Sequence, residues 1–200
     1  MIIHTKDGFV FKTADEASLR LEAQRLYHNV YLEMGYINRP YPDGIIPFKY
    51  NKISTYIVAV KRHKVVGVMR FTPGPPFLTL QTLEENLSSK TRDLLKVVYK
   101  QPSAELGALA VKREFRRKRV SWGLYKASWV MALLRQIDWY VICMDLTAFR
   151  KVKQLGWYIK EITPPIDYMG SPSVLGIIPV RKQLSTIYAK NFHYYKYLIQ

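Results

Sequence analysis

The stretch that decides the reading runs Ala104-Glu-Leu-Gly-Ala-Leu-Ala-Val111, then Lys112-Arg-Glu-Phe-Arg-Arg-Lys-Arg119, then Val120-Ser-Trp-Gly-Leu-Tyr-Lys-Ala127. An apolar run of strand length enters a basic turn, and the turn opens a long amphipathic helix predicted over Val120–Ile137. The first backbone N–H groups of a helix have no intrahelical partner, and arginines beside them add positive charge, so the arrangement suits a phosphate group. The same residues also read as a solvated basic loop or a nucleic-acid patch. Their place between a buried strand and an amphipathic helix favours the phosphate cradle.

Working outward, Ala14 to about Gly35 carries Leu19, Leu21, Leu26, Tyr27, Val30 and Tyr31 at helical spacing, with Thr13 and Asp15 as capping candidates. Asn38 to Gly44, with two prolines and an Asp-Gly, is a loop. Ile53–Val60 and Val65–Phe71 flank Lys61-Arg-His-Lys64 and predict a hairpin. Pro73 to Pro76 break the chain, and Leu80 to Val98 is a polar helical excursion. Beyond the central stretch come a strand at Trp139–Leu146 and a short helix at Ala148–Leu155, stopped by Gly156. Two late strands, Trp157–Thr163 and Val174–Val180, precede an aromatic-rich helix over about Lys182–Tyr197. The alternation predicts an α/β (α+β) protein, a mixed sheet flanked by helices, as one domain over residues 1–200.

Composition narrows the partners. The 200 residues carry a net charge of +16, which calls for an anionic partner: nucleic acid, an anionic membrane surface, a nucleotide-like cofactor or an acidic protein. The single cysteine, Cys143, excludes a disulfide framework and a cysteine-ligated zinc site, and no metal is expected. Its apolar setting, Trp139-Tyr-Val-Ile-Cys-Met144, reads as a buried strand rather than a catalytic thiol. The N-terminus lacks the regions of a signal peptide, and no apolar run approaches the ~20 residues of a membrane span. A soluble, cytoplasmic protein is expected.

Arg116-Arg-Lys-Arg119-Val-Ser121 resembles the signature of the GNAT N-acyltransferases, Arg/Gln-x-x-Gly-x-Gly/Ala between a strand and a helix, with Arg119 and Ser121 in place of the two glycines. Ala148 and Leu155-Gly-Trp157 resemble the family's block at the fifth strand and following helix. Val152 stands where a tyrosine often protonates the leaving thiolate, and Asp145 where asparagine is frequent. The resemblance covers about Ile53 to Val180. It implies a GNAT fold, a mostly antiparallel sheet of about seven strands, and binding of a phosphopantetheine thioester.

Three further stretches resemble the branch that holds the acyl-homoserine-lactone synthases and the long-chain N-acyl amino acid synthases. They are Gln24-Arg-Leu-Tyr-His-Asn-Val-Tyr31 continuing to Gly35-Tyr-Ile37, Val66-Gly-Val-Met-Arg70, and Glu105-Leu-Gly-Ala-Leu-Ala-Val111, with Ala108 where an arginine is usual. The lactone synthases' extra acidic and tryptophan positions are not found, so the N-acyl amino acid synthases, including the N-acyltyrosine makers, fit better. This branch takes its acyl group from acyl carrier protein. The resemblance therefore implies long-chain fatty acyl transfer from that carrier to the α-amine of an amino acid, tyrosine by likeness, with no permanently bound cofactor.

In that reading, backbone groups of Leu109, Ala110 and Val111 pair with the pantetheine amides like an added strand, beside a bulge that splays the neighbouring strands. The residues of the turn and helix start, Arg116, Arg117, Lys118, Arg119, Val120, Ser121, Trp122 and Gly123, hold the phosphate arm. Arg113, Arg116, Arg117, Lys118, Arg119 and Lys126 form the dock for the acidic carrier. Glu105, a carboxylate on an apolar strand, is the candidate base for the acceptor ammonium; its other reading is structural. Arg70, and behind it Arg25 and Asp145, are candidates for gripping the acceptor. Trp122, Tyr125, Trp129 and Met131 line an acyl tunnel or simply fill the core. The competing functions are an acetyl-CoA-dependent GNAT acetyltransferase and a basic nucleic-acid-binding module. No recognised nucleic-acid motif is present. The Tyr/Lys-rich C-terminal helix leaves an anionic membrane surface open as an auxiliary contact.

Overall fold

The chain folds into two units, Met1–Pro73 with Leu106–Leu133 and Gly74–Glu105 with Leu134–Gln200, in a computed structural model that describes all 200 residues. In chain order the first elements are strands β1 (Ile2–His4) and β2 (Val10–Thr13), helix α1 (Ala17–Glu33), and strands β3 (Thr55–Lys61) and β4 (Lys64–Gly74). Helices α2 (Leu78–Thr82) and α3 (Ser89–Tyr99) follow, then β5 (Ser103–Val111), α4 (Val120–Leu134), β6 (Trp139–Asp145) and α5 (Leu146–Gln154). Strands β7 (Lys160–Glu161), β8 (Ile166–Tyr168) and β9 (Ser171–Pro179) lead to α6 (Gln183–Lys190) and α7 (Phe192–Ile199). The fold class is as expected, a mixed, mostly antiparallel sheet flanked by helices, with nine strands rather than about seven.

In the first unit β1 pairs with β2, β2 with β3 and β3 with β4, all antiparallel. Thr55 faces Phe71 and Ile57 faces Met69 in the predicted hairpin, whose register shifts between Ala59 and Val60. The N–H of Lys112 bonds the carbonyl of Val66, which ties the end of β5 to β4. Helix α1 contributes Ala23, Leu26, Tyr27 and Val30 to a core with Tyr56, Val58, Val65, Val68, Ala108 and Ala110. Neither Thr13 nor Asp15 caps α1. Thr13 belongs to β2, its hydroxyl bonds Asp15, and the N-cap is Glu16, which makes no side-chain cap bond. The sheet pairing of β2 holds Thr13 away from the helix start.

Helix α4 lies close on its strands because glycines leave no Cβ in the way. A Cβ on Gly67 of β4 would come within 2.8 Å of Val120 Cγ1, and one on Gly123 would sit 2.0 Å from the ring of Phe11 in β2.

In the second unit β9 is the organising strand. It pairs antiparallel with β6 from Trp139↔Pro179 to Asp145↔Ser173, and β7 and β8 also pair with it. Its core holds Phe77, Leu80, Leu95, Val98, Val141, Leu175 and Ile177. The helical excursion is in two pieces, and Ser88 caps α3 by accepting the Thr91 N–H. Two expectations are corrected here. The strand expected over Trp157–Thr163 is only Lys160–Glu161. The single C-terminal helix is broken at Asn191, whose φ of −150° and ψ of 78° are not helical and whose side chain caps α7 through the Tyr194 N–H.

Candidate functional site

Strand β5 carries the central anomaly of the backbone. Ala108 sits in mid-strand at φ 51°, in the left-handed region. For an alanine this conformation costs roughly 1–2 kcal/mol, and in a strand it marks a bulge. The bulge falls between Glu105 and the expected pantetheine-pairing residues Leu109, Ala110 and Val111. Such outliers persist where surrounding structure enforces them, and they concentrate at functional sites. Here Ala108 is enclosed in the core of the first unit.

The turn after β5 repeats the device. A 3-10 turn at Arg113–Phe115 leads to Arg116, and Arg117 and Arg119 then take φ of 65° and 58°. Arg119 occupies the position of the signature's first glycine and adopts a glycine's backbone. Helix α4 begins at the next residue and has no acidic residue in its first turn. The positive end of its dipole therefore faces Arg117, Lys118 and Arg119, a mutually repulsive arrangement that a bound anion relieves. These three side chains are exposed. Lys118 leans over the Phe115 ring at 5.3 Å and Arg119 over Trp122 at 5.2 Å. Replacing Arg119 by glycine is expected to raise stability by about 1 kcal/mol, because the left-handed strain disappears. Thermal melting should then rise by a few degrees; a fall in Tm would mean that Arg119 is not strained there.

Arg116 behaves differently from its neighbours. Its guanidinium is held by Glu33 of α1 through Nη1 and Nη2, at 3.1 and 3.2 Å, and its Nε donates to the Val111 carbonyl at 3.1 Å. Arg116 therefore straps the turn to α1, with its guanidinium engaged by Glu33. Gly123 likewise has a packing duty, its contact with Phe11. Arg25 borders a cleft of about 270 Å³ together with Leu26, Glu33, Lys112, Arg113 and Glu114, so it stands beside the turn. Its Nε donates to the Asp43 carbonyl. Burial of Lys126 pushes its ammonium below the usual lysine range. Burial also pushes the Tyr125 hydroxyl up, and Tyr125 and Met131 are core residues.

Arg70 is 7% exposed, with its guanidinium carbon 3.3 Å from the centre of the Phe48 ring. A Cβ on Gly107 would lie 3.0 Å from Arg70 Nη2, so the glycine makes room for the guanidinium over β5. Phe48 was not legible as a site residue. Its only signal is an aromatic residue near a loop with little pattern.

In the second unit Glu105 is 2% exposed, and its Oε2 accepts the Thr79 N–H at 3.1 Å. Thr79 is a second residue that sequence reading missed, because a backbone donor leaves no side-chain signature. Asp145 caps α5, with Oδ1 accepting the Ala148 N–H at 2.9 Å. Cys143 is half-buried, and burial, then the charge of Glu105, push its thiol up to about 12. At neutral pH it stays a thiol, in keeping with a structural residue. Val152 is buried, and no group of three or more His, Cys, Asp or Glu is placed to hold a metal.

The sequence matches no protein-family model and no curated protein. Solved structures do match. FeeM, an N-acyl amino acid synthase from uncultured soil microbes, superposes with a TM-score of 0.73 at 15% identity, over 92% of this chain and 97% of its own. The acyl-homoserine-lactone synthase LasI gives 0.70 at 14% identity, over 92% and 95%. BjaI, a CoA-dependent acyl-homoserine lactone synthase with SAM and isopentyl-CoA, gives 0.69 at 18%, over 92% and 87%. The chain thus has the GNAT-like fold of the acyl-homoserine-lactone and N-acyl amino acid synthases.

Proposed function

We propose that the chain is an acyltransferase that moves a long-chain fatty acyl group from the phosphopantetheine thioester of acyl carrier protein to the α-amine of an amino acid, with tyrosine the favoured acceptor. The observation that carries this reading is the turn before α4. Arg119 holds a glycine-like backbone there, at a helix start ringed by Arg117 and Lys118 and free of acids. A phosphate on a flexible arm is the anion such a bend suits. The exposed cations Arg113, Arg117, Lys118 and Arg119 extend the positive surface beyond one phosphate, which favours an acidic carrier over a small cofactor.

Along β5 the arm would run from the turn toward Ala108, pairing its amides with Leu109, Ala110 and Val111. A backbone N–H at the bulge would stabilise the oxyanion of the tetrahedral intermediate. The acceptor arrives as an ammonium ion, and Glu105 takes one proton from it. The amine nitrogen then attacks the thioester carbon, and collapse of the intermediate breaks the C–S bond. With Val152 in place of the family's tyrosine, the second proton lost from nitrogen is the one that reaches the thiolate. Arg70, held over the Phe48 ring, would grip the acceptor's carboxylate. Arg25 and Asp145 have supporting roles in this scheme, one beside the turn and one as a helix cap.

The test is mass spectrometry of reactions containing purified protein, amino acids and either long-chain acyl carrier protein or acyl-CoA. The expected product is an N-acyl amino acid made from the carrier-bound donor. Its rate at limiting carrier should fall about tenfold between low and ~0.5 M salt, as an electrostatic encounter requires. Turnover of acetyl-CoA without carrier would replace this reading with an acetyltransferase.

A further inference from the structure

The α6–α7 pair carries a surface for which acyl transfer has no use. Tyr188 is 57% exposed and Phe192 51% exposed. With Tyr195 they form one cluster, in which Tyr188 meets Phe192 at 5.5 Å and Tyr195 at 5.1 Å between ring centres, and Phe192 stacks on Tyr195 at 6.1 Å. Tyr194 and Leu198 occupy the buried side of α7, so the cluster is a second apolar face rather than the core. Lys196 lies over the Phe192 ring, its ammonium 4.6 Å from the ring centre. No Asp or Glu follows Asp167 in the sequence, whereas Arg181, Lys182, Lys190 and Lys196 do; all four are exposed, and Arg181 is paired with Asp138 at 2.7 Å, which leaves the lysines as the cations of this face.

We propose that the Tyr188–Phe192–Tyr195 face seats this chain on an anionic lipid bilayer, with its aromatic rings at headgroup depth and Lys182, Lys190 and Lys196 on lipid phosphates. The composition selects this occupant. Tyrosine and phenylalanine with interspersed lysine suit a boundary that is apolar on one side and wet on the other. A helix pair without carboxylates meets an anionic surface with no like-charge repulsion. The Lys196 ammonium rides over the Phe192 ring, so a ring at headgroup depth carries the charge to the level of the phosphates. No helix of the chain is long and apolar enough to cross a membrane, so the contact is peripheral. This inference does not rest on the acyl-transfer reading.

Co-sedimentation tests it, using the full chain with vesicles of phosphatidylcholine alone or with about 30% phosphatidylserine. Wild type should partition onto the anionic vesicles only. The pair Tyr188→Gln and Phe192→Gln should lower that partition about tenfold or more, with Tm unchanged within a few degrees. Reversing charge in the basic turn instead (Arg117→Glu with Lys118→Glu) should alter partition much less. The proposal fails if wild type ignores anionic vesicles or if the aromatic pair binds them like wild type. It also fails if the turn variant alone abolishes binding, since the contact would then lie elsewhere. Concentration-dependent dimers that the aromatic pair dissociates, without lipid binding, would assign the face to a second copy of the chain.

Discussion

Glu105→Gln should fold to wild-type stability and lose amide formation by roughly 10²–10⁴-fold, the usual worth of a positioned proton acceptor. The isosteric amide separates the two roles open to this side chain. A glutamine carbonyl can still accept the Thr79 N–H that Oε2 accepts now, so the local structure persists while basicity is removed. Glu105→Ala, in contrast, leaves that buried N–H without a partner and should cost about 1–3 kcal/mol of stability. The two variants should therefore agree in activity and differ in Tm. A glutamine variant as active as wild type, beside a destabilised alanine variant, would make Glu105 a structural residue only. The burial of this carboxylate in the free protein makes that comparison decisive.

Gly123→Ala is expected to destabilise the chain strongly. On helix propensity alone the change should help by nearly 1 kcal/mol. Packing reverses the sign, because the new Cβ would lie 2.0–2.4 Å from three atoms of the Phe11 ring, which is itself 1% exposed. Overpacking of this kind costs about 1–3 kcal/mol or more. We expect a net loss near 2 kcal/mol, read as a fall in Tm of several degrees for a chain of this length. Pairing it with Phe11→Leu, which vacates space at the contact, should recover part of the loss. No loss in the single variant would mean that α4 does not lie against β2 as described. Because α4 begins beside the cationic turn, Gly123→Ala should also weaken donor binding, whereas Glu105→Gln should not.

These two residues mark what sequence could and could not convey. The β5–turn–α4 unit was legible because each piece has its own local signal: an apolar run, a cation cluster and an amphipathic repeat. The hairpin at 53–71 was legible for the same reason. Strands β1 and β2 were missed, since Ile2–His4 and Val10–Thr13 are too short for alternation to show; they form by pairing, β2 on β3 and β1 on β2. The break at Asn191 was missed because apolar spacing runs on through it. Among the candidate site residues, residue type alone singled out Glu105, Arg70 and the turn. Their division of labour was hidden, because it depends on contacts far apart in sequence, such as Arg116 with Glu33 and Arg70 with Phe48. The left-handed backbone at Ala108 was equally hidden, since alanine does not prefer it and only the enclosing core imposes it.

In the proposed reaction the bend before α4 holds a phosphorylated pantetheine arm whose thioester lies along β5. Backbone amide resonances, followed while acyl carrier protein is titrated into the labelled protein, test it most directly. The largest shifts are expected at Leu109, Ala110 and Val111 and at Val120, Ser121 and Trp122, all lost with the charge reversal Arg117→Glu and Lys118→Glu. Saturable binding of the carrier that leaves those amides unmoved would contradict it.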